Sequence, residues 1–319
     1  MRAKLLVTRR LLPAVEQRLS RDYEASLNRE DVMLPADELV ARARDMDALL
    51  VAPTDRIDSA LIARLPDSLR IIATFSVGFD HIDITAAGQH GIVVTNTPDV
   101  LTEATAEITI LLMLGAARRA WEAETSLRAG AWKGWTADFM LGRQLTGKCL
   151  GIVGMGRIGQ ATARIARALG MVIHYHGRRP LPPEQALDAI FHAELNDLLR
   201  VSQVLSLHCP ATPETARMLN RRSIGLLPDG AIVVNTARGA LIDDDALIEA
   251  LGSGKIAAAG LDVFLGEPNF DRRYAELPNT MLLPHIGSAT TETREAMGFR
   301  ALDNLDAWFA GREPMDRLI

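Results

Sequence analysis

The chain has 319 residues, 48% hydrophobic and 24% charged, and its 35 basic against 40 acidic side chains give a formal net charge of −5. That composition fits a globular protein of about two domains of roughly 150 residues each, and it lacks the basic excess that a nucleic-acid partner demands. The two cysteines, Cys149 and Cys209, are too few for a disulfide framework or a zinc site, and the longest apolar run, Ile108 to Ala117, is too short to cross a membrane.

From residue 1 to about 100, short apolar runs read as strands at Leu5–Thr8, Ala48–Ala52, Arg70–Phe75 and Ile92–Thr95, with helical segments at Ala36–Arg44 and Ser59–Leu65. Strands alternating with helices imply βαβ units and a parallel sheet. The pattern breaks at Thr95-Asn96-Thr97-Pro98-Asp99, where proline disfavours helix in the residue before it, so the first domain crossing is expected at residue 98. One long helix is expected from Leu101 to Gly130. Its first half, ITILLMLGAA, is apolar on nearly every face and demands burial on all sides, between domains or between subunits.

A second alternating series places strands at Cys149–Val153, Met171–Tyr175, Val204–His208, Ala231–Asn235, Ala257–Val263 and Met281–Leu283. After a break at Pro284-His285-Ile286-Gly287, a last helix, about Thr291 to Phe309, is expected to pack back on the N-terminal domain. The fold class is therefore α/β, with two doubly wound parallel-sheet domains and a cleft between them. Residues 1–98 with 288–319 form one domain and residues 99–287 the other, with closure about hinges near Pro98 and Gly287. No signal peptide is legible in MRAKLLVTRRLLP, so the expected setting is the reducing cytoplasm.

The strand CLGIV runs straight into Gly154-Met155-Gly156-Arg157-Ile158-Gly159 and then the helix-like QATARIARALG. In that context G-x-G-x-x-G is a pyrophosphate cradle. Gly154 allows the tight turn, Gly156 admits close backbone approach, Gly159 lets helix and strand pack, and the helix N-terminus offers N–H groups. The residue that meets the adenosine ribose is due ~20 positions on. There the chain reads His176-Gly177-Arg178-Arg179, with no carboxylate to accept from a 2′-hydroxyl and two guanidinium groups suited to a 2′-phosphate. NADP(H) is the expected cofactor, with NAD as the alternative.

Three later strands end in reactive side chains. One leads to Arg238, one contains Asp262 and leads to Glu267, and one ends at His285. In a doubly wound sheet all three converge on the nicotinamide end of the crevice. His285 is the natural proton donor because an imidazole titrates near working pH, and Glu267 is the carboxylate to orient it. Arg238 suits a substrate carboxylate and polarises a carbonyl oxygen, whereas Asp262 is better placed to meet the nicotinamide amide.

With these residues in view, the chain resembles the D-isomer-specific 2-hydroxyacid dehydrogenases over essentially its full length. The matching stretches are SVGFDHID (Ser76 to Asp83), VGMGRIGQ (Val153 to Gln160), LHCPATPET (Leu207 to Thr215), NTARGALID (Asn235 to Asp243), GLDVFLGEP (Gly260 to Pro268) and LLPHIGSAT (Leu282 to Thr290). The resemblance implies a Rossmann cofactor domain beside a flavodoxin-like substrate domain, with catalytic arginine, glutamate and histidine at Arg238, Glu267 and His285. It implies cofactor contacts at Thr105, the Met155 to Ile158 turn, Cys209, Pro210, Thr236, Ala237, Asp262 and Gly287. It also implies a substrate carboxylate held by Arg238 and by backbone N–H groups at Val77 and Gly78.

Within that family the arginine pair is similar to NADP-preferring glyoxylate/hydroxypyruvate reductases. The segment Trp132-Lys133-Gly134-Trp135 looks like their dimerisation arm, which implies a homodimer through residues 101–148, with Trp135 either at the partner's pocket or packed in the interface. The expected reaction is reduction of a small 2-oxo acid to the D-2-hydroxy acid. An NAD-linked D-lactate-type enzyme is the alternative, and a dinucleotide-sensing corepressor-like binding protein is the alternative outside catalysis.

Overall fold

Four-residue runs such as KLLV, ALLV and IIAT are buried almost end to end, the mark of parallel strands covered on both faces. They belong to the strands β1 (Lys4–Val7), β2 (Glu24–Leu27), β3 (Ala48–Val51), β4 (Ile71–Thr74) and β5 (Val93–Thr95). These form one parallel sheet in the order β2-β1-β3-β4-β5. The chain winds outward in both directions from β1 and β3, so ligand loops belong at the carboxyl ends of the central strands.

The remaining strands are β6 (Cys149–Val153), β7 (Val172–His176), β8 (Ile190–His192), β9 (Val204–Leu207), β10 (Ala231–Asn235), β11 (Ile256–Leu261) and β12 (Thr280–Leu282). They form a second parallel sheet, ordered β12-β11-β10-β9-β6-β7-β8, in which the winding reverses between β6 and β9. Both sheets are doubly wound, as the alternating pattern required.

The computed structural model describes residues 2–186 and 188–319, which divide into two units. One holds the chain up to Leu101 together with Ser288–Ile319, and the other holds Thr102–Gly287. The first crossing falls at Leu101 rather than at residue 98. Thr97 still donates its N–H to Ser76, and Asp99 turns with φ +74°, so the chain is tied to the first sheet past the proline. The last helix, Thr291–Phe309, packs in the first unit against β4 and the helix Pro13–Asp22.

Three elements differ from the sequence reading. β2 and β8 had no expected counterpart: both are edge strands, largely half-exposed, and neither EASL nor IFH carries a long apolar run. The single helix expected from Leu101 to Gly130 is two, Thr102–Ala117 and Ala120–Arg128, because Arg119 adopts a left-handed backbone with φ +55° and breaks the ladder.

The apolar stretch in the first of these helices is not buried on every side within its unit. It packs on β10, β11 and the helix Arg157–Ala168, and burying Leu112 and Met113 leaves Leu111 and Leu114 on the outer face, 46% and 38% exposed. The segment 131–142 that follows is irregular and carries exposed Trp132, Trp135, Phe139 and Leu141.

Candidate active site

The phosphate turn begins where β6 ends. Gly154 has φ +95°, and a Cβ there would stand 2.7 Å from the Cys209 nitrogen, so the turn closes against the loop leaving β9. A Cβ at Gly159 would stand 2.4 Å from the Gly154 carbonyl oxygen, which is why helix and turn touch only without a side chain. At Gly156 a Cβ meets nothing within 4 Å, so the open side of the turn faces away from protein. The helix Arg157–Ala168 starts at Gly156 with no side-chain cap, leaving its first-turn N–H groups to an external acceptor. Met155 is buried beneath the turn, Ile158 is half-buried and Arg157 is exposed. This cradle fits the pyrophosphate of a dinucleotide.

The neighbouring strands deliver the flanking positions to the same end of the sheet. Gly177 follows β7 directly, with Arg178 and Arg179 exposed beyond it. Cys209 and Pro210 follow β9. The Cys209 thiol points at the Met218 sulfur 3.6 Å away, and burial pushes its pKa up to about 11. Thr105 and Thr236 are linked through a residue that sequence reasoning missed. Thr109 donates to the Thr105 carbonyl at 2.8 Å, so its hydroxyl accepts from Thr236, also at 2.8 Å. A polar residue in a run as apolar as ITILL was the available signal.

Arg238 leaves β10 on a loop shaped by the fully buried Asn235. The Asn235 amide donates to the Arg238 carbonyl at 2.8 Å and its oxygen accepts from the Ala237 N–H at 3.0 Å. The Arg238 guanidinium donates to the Ala237 carbonyl at 2.7 Å. A Cβ at Gly239 would stand 1.9 Å from the Phe264 carbonyl carbon, so this loop lies directly on the one that carries Glu267.

Glu267 Oε1 accepts from the Phe264 N–H at 2.7 Å and Oε2 from His285 Nδ1 at 2.7 Å. Burial pushes the Glu267 carboxyl up, but the hydrogen bond and charge of His285, the Phe264 N–H and nearby Arg238 together hold it below its ordinary value. An ionised carboxylate only accepts, so the His285 proton on this side sits on Nδ1, and Nε2 is the ring nitrogen that Glu267 does not engage. Arg238, Glu267 and His285 thus meet at the carboxyl ends of β10, β11 and β12.

Asp262 has a backbone role that the sequence did not suggest. Its two carboxylate oxygens accept from the N–H groups of Ile286 and Gly287, each at 2.8 Å, and its carbonyl accepts from the His285 N–H at 2.8 Å. Burial raises its pKa despite these bonds. A Cβ at Gly287 would crowd the carboxylate at 3.1 Å.

In the other unit, Val77 and Gly78 lie just past β4, both half-buried. Trp135, in the unit that holds the phosphate turn, is 82% exposed. A cavity of about 450 Å³ lies at the opposite, amino ends of β10 to β12, lined by Trp121, Leu141, Arg143 and Met281 among others, and has no part in this constellation. Among the described residues no cluster of His, Cys, Asp and Glu has the makings of a metal site. No helix there is long and apolar enough to cross a membrane.

Residues 110–287 match the family model described as D-isomer specific 2-hydroxyacid dehydrogenase, NAD binding domain. The chain is 45% identical to a glycerate dehydrogenase of Hyphomicrobium methylovorum over 312 residues, covering 97% of each. It is 46% identical to a glyoxylate reductase of Aeropyrum pernix over 319 residues, covering 98% of this chain and 95% of that one. The crystal structure of an NADPH-dependent glyoxylate/hydroxypyruvate reductase of Sinorhizobium meliloti, in complex with NADP and malonate, superposes with a TM-score of 0.90 at 36% identity, covering 100% of this chain and 97% of that one. The phosphate cradle and the Arg–Glu–His constellation stand on a chain that belongs to the D-isomer specific 2-hydroxyacid dehydrogenase family.

Proposed function

We propose that the protein reduces a small 2-oxo acid of the glyoxylate or hydroxypyruvate kind to the D-2-hydroxy acid, with NADPH preferred over NADH and His285 as general acid. The observation that carries this reading is the 2.7 Å contact between His285 Nδ1 and a Glu267 carboxylate held ionised, which leaves Nε2 to deliver a proton. Relatives named for glyoxylate, hydroxypyruvate and glycerate support the substrate class.

When bound, the reduced nicotinamide supplies the hydride. The residues of the phosphate turn, with Thr105, Cys209, Pro210, Thr236, Ala237, Asp262 and Gly287, would hold it. Arg178 and Arg179 carry the NADPH preference, because they stand exposed just past β7 where the fingerprint puts the ribose contact. Arg238 binds the substrate carboxylate and polarises the carbonyl, and the N–H groups of Val77 and Gly78 are further donors to that carboxylate. His285 then transfers its proton to the oxygen that becomes the alkoxide, and Glu267 balances the histidine's charge.

Exposed Leu111, Leu114, Trp121, Trp132, Trp135 and Phe139 favour a homodimer through residues 101–148, since so much exposed apolar surface in one stretch marks an interface. Trp135 belongs there, at the partner's pocket or packed within the contact. Two free cysteines fit a cytoplasmic setting.

A panel of 2-oxo acids assayed with NADPH and NADH, on wild type and on His285→Ala, tests the reading. Glyoxylate and hydroxypyruvate should rank highest in kcat/KM with NADPH, and His285→Ala should lose roughly 10²–10⁴-fold in kcat. Near-normal turnover in that variant would refute the acid role.

A further inference from the structure

The loop after β4 is tied down by its carbonyl groups, three peptide units in a row. The Ser76 carbonyl accepts from the Thr97 N–H at 2.9 Å, the Val77 carbonyl from Asn96 Nδ2 at 2.8 Å, and the Gly78 carbonyl from Ser76 Oγ at 2.6 Å. In a trans peptide the N–H points opposite to the C=O of the same unit. The N–H groups of Val77, Gly78 and Phe79 are therefore each turned away from a fixed carbonyl, and among the described residues none meets an acceptor. Successive N–H groups left open in this way form a concavity suited to an anion.

The two side chains responsible are themselves braced. Asn96, only 8% exposed, gives its N–H to the Asp316 carbonyl at 3.3 Å and accepts from Asn304 Nδ2 at 3.2 Å. Asn304 and Asp316 are joined by two further bonds, and Arg300 grips the Asp316 carboxylate with two nitrogens. The last helix and the tail beyond it thus hold both backbone groups of Asn96, the main chain from which its amide reaches Val77.

Ser76 is held by a relay. Its single proton goes to Gly78, so its oxygen accepts from Thr74 at 2.8 Å, and Thr74 in turn accepts from His81 Nε2 at 2.9 Å.

We propose that Ser76 and Asn96 are positioning residues for the substrate carboxylate, acting by orienting the peptide units whose N–H groups bind it. The inference rests on the reading that the Val77–Gly78 loop takes that carboxylate. It adds two residues that touch no substrate and a brace that runs to the C-terminal tail.

The test uses the full-length protein and the variants Asn96→Ala, Ser76→Ala and Ser76→Thr. The readouts are KM for glyoxylate, inhibition by oxalate, KM for the cofactor and the thermal midpoint. For the two alanine variants, KM for glyoxylate and the oxalate inhibition constant should rise roughly tenfold or more, the scale of one hydrogen bond to a charged group, while the cofactor KM stays unchanged. Ser76→Thr keeps the donor and should restore glyoxylate binding.

Unchanged KM and oxalate inhibition in folded variants would overturn the proposal, as would a cofactor KM that rises in step. If Asn96→Ala does not fold, Ser76→Ala against Ser76→Thr still decides. If wild type turns over no 2-oxo acid, the functional reading fails separately, and calorimetry with oxalate on the same proteins still decides on the loop. Weaker binding in the alanine variants supports the proposal, and equal or absent binding overturns it.

Discussion

His285 gives its backbone N–H to the carbonyl of Asp262 at 2.8 Å, while the Asp262 carboxylate takes the next two N–H groups, of Ile286 and Gly287. His285 itself has φ +54°, a left-handed conformation that costs a non-glycine residue energy unless its surroundings impose it. One aspartate therefore sets the backbone from which the imidazole reaches Glu267.

Asp262→Ala should accordingly cost both stability and catalysis. Two N–H groups would lose a charged acceptor, a loss of roughly 2–5 kcal/mol. Once the loop relaxes, kcat should fall along with it. Asp262→Asn, which retains one accepting oxygen, should fall between the two. Urea unfolding and steady-state kinetics on the same samples check this. If Asp262 served only the nicotinamide amide, the alanine variant would unfold like wild type and show only a raised cofactor KM.

The arginine pair makes a sharper kinetic statement. Arg178 and Arg179 lie exposed just past β7, and only NADPH offers a 2′-phosphate for a guanidinium fork. Replacing both by alanine should raise KM for NADPH by roughly tenfold or more per lost charged contact while leaving KM for NADH nearly as before. Equal losses with both cofactors would show that the pair does not read that phosphate.

Much of this architecture was legible in the sequence because the strands that carry the site are central ones. β6, β10 and β11 are buried almost throughout and so read as largely apolar runs, and each ends at a glycine, an asparagine or an aspartate. β2 and β8 escaped because edge strands need no such run. The break at Arg119 escaped because it depends on a left-handed residue that carries a side chain, which no glycine announces.

In the site, residue types pointed to Arg238, Glu267 and His285, but contacts to backbone were invisible. Asn235, Ser76 and Asn96 act on carbonyls and N–H groups, and Asp262 grips three consecutive N–H groups through its own carbonyl and carboxylate. A pattern of side chains does not record which peptide plane each one turns.

His208 adds a dependence on pH that is separate from catalysis. It leaves β9 beside the phosphate turn, its N–H donates to the Val153 carbonyl at 2.8 Å, and its ring Nε2 meets Ser206 Oγ at 2.8 Å. Burial pushes its pKa down to about 4 from an ordinary 6.5. Below pH 6.5 the unfolded chain therefore binds a proton that the folded chain refuses until near pH 4. The histidine's contribution to stability is complete above pH 6.5 and declines as the pH falls from there toward 4.

His208→Gln stays neutral throughout. At about pH 7.5 it should unfold somewhat more easily than wild type, by about 1 kcal/mol for an altered hydrogen bond. Between about pH 7.5 and about pH 5 it should lose less stability than wild type does. Urea midpoints for both proteins at the two pH values make the comparison, and an equal acid-induced loss in both would assign the sensitivity to another group.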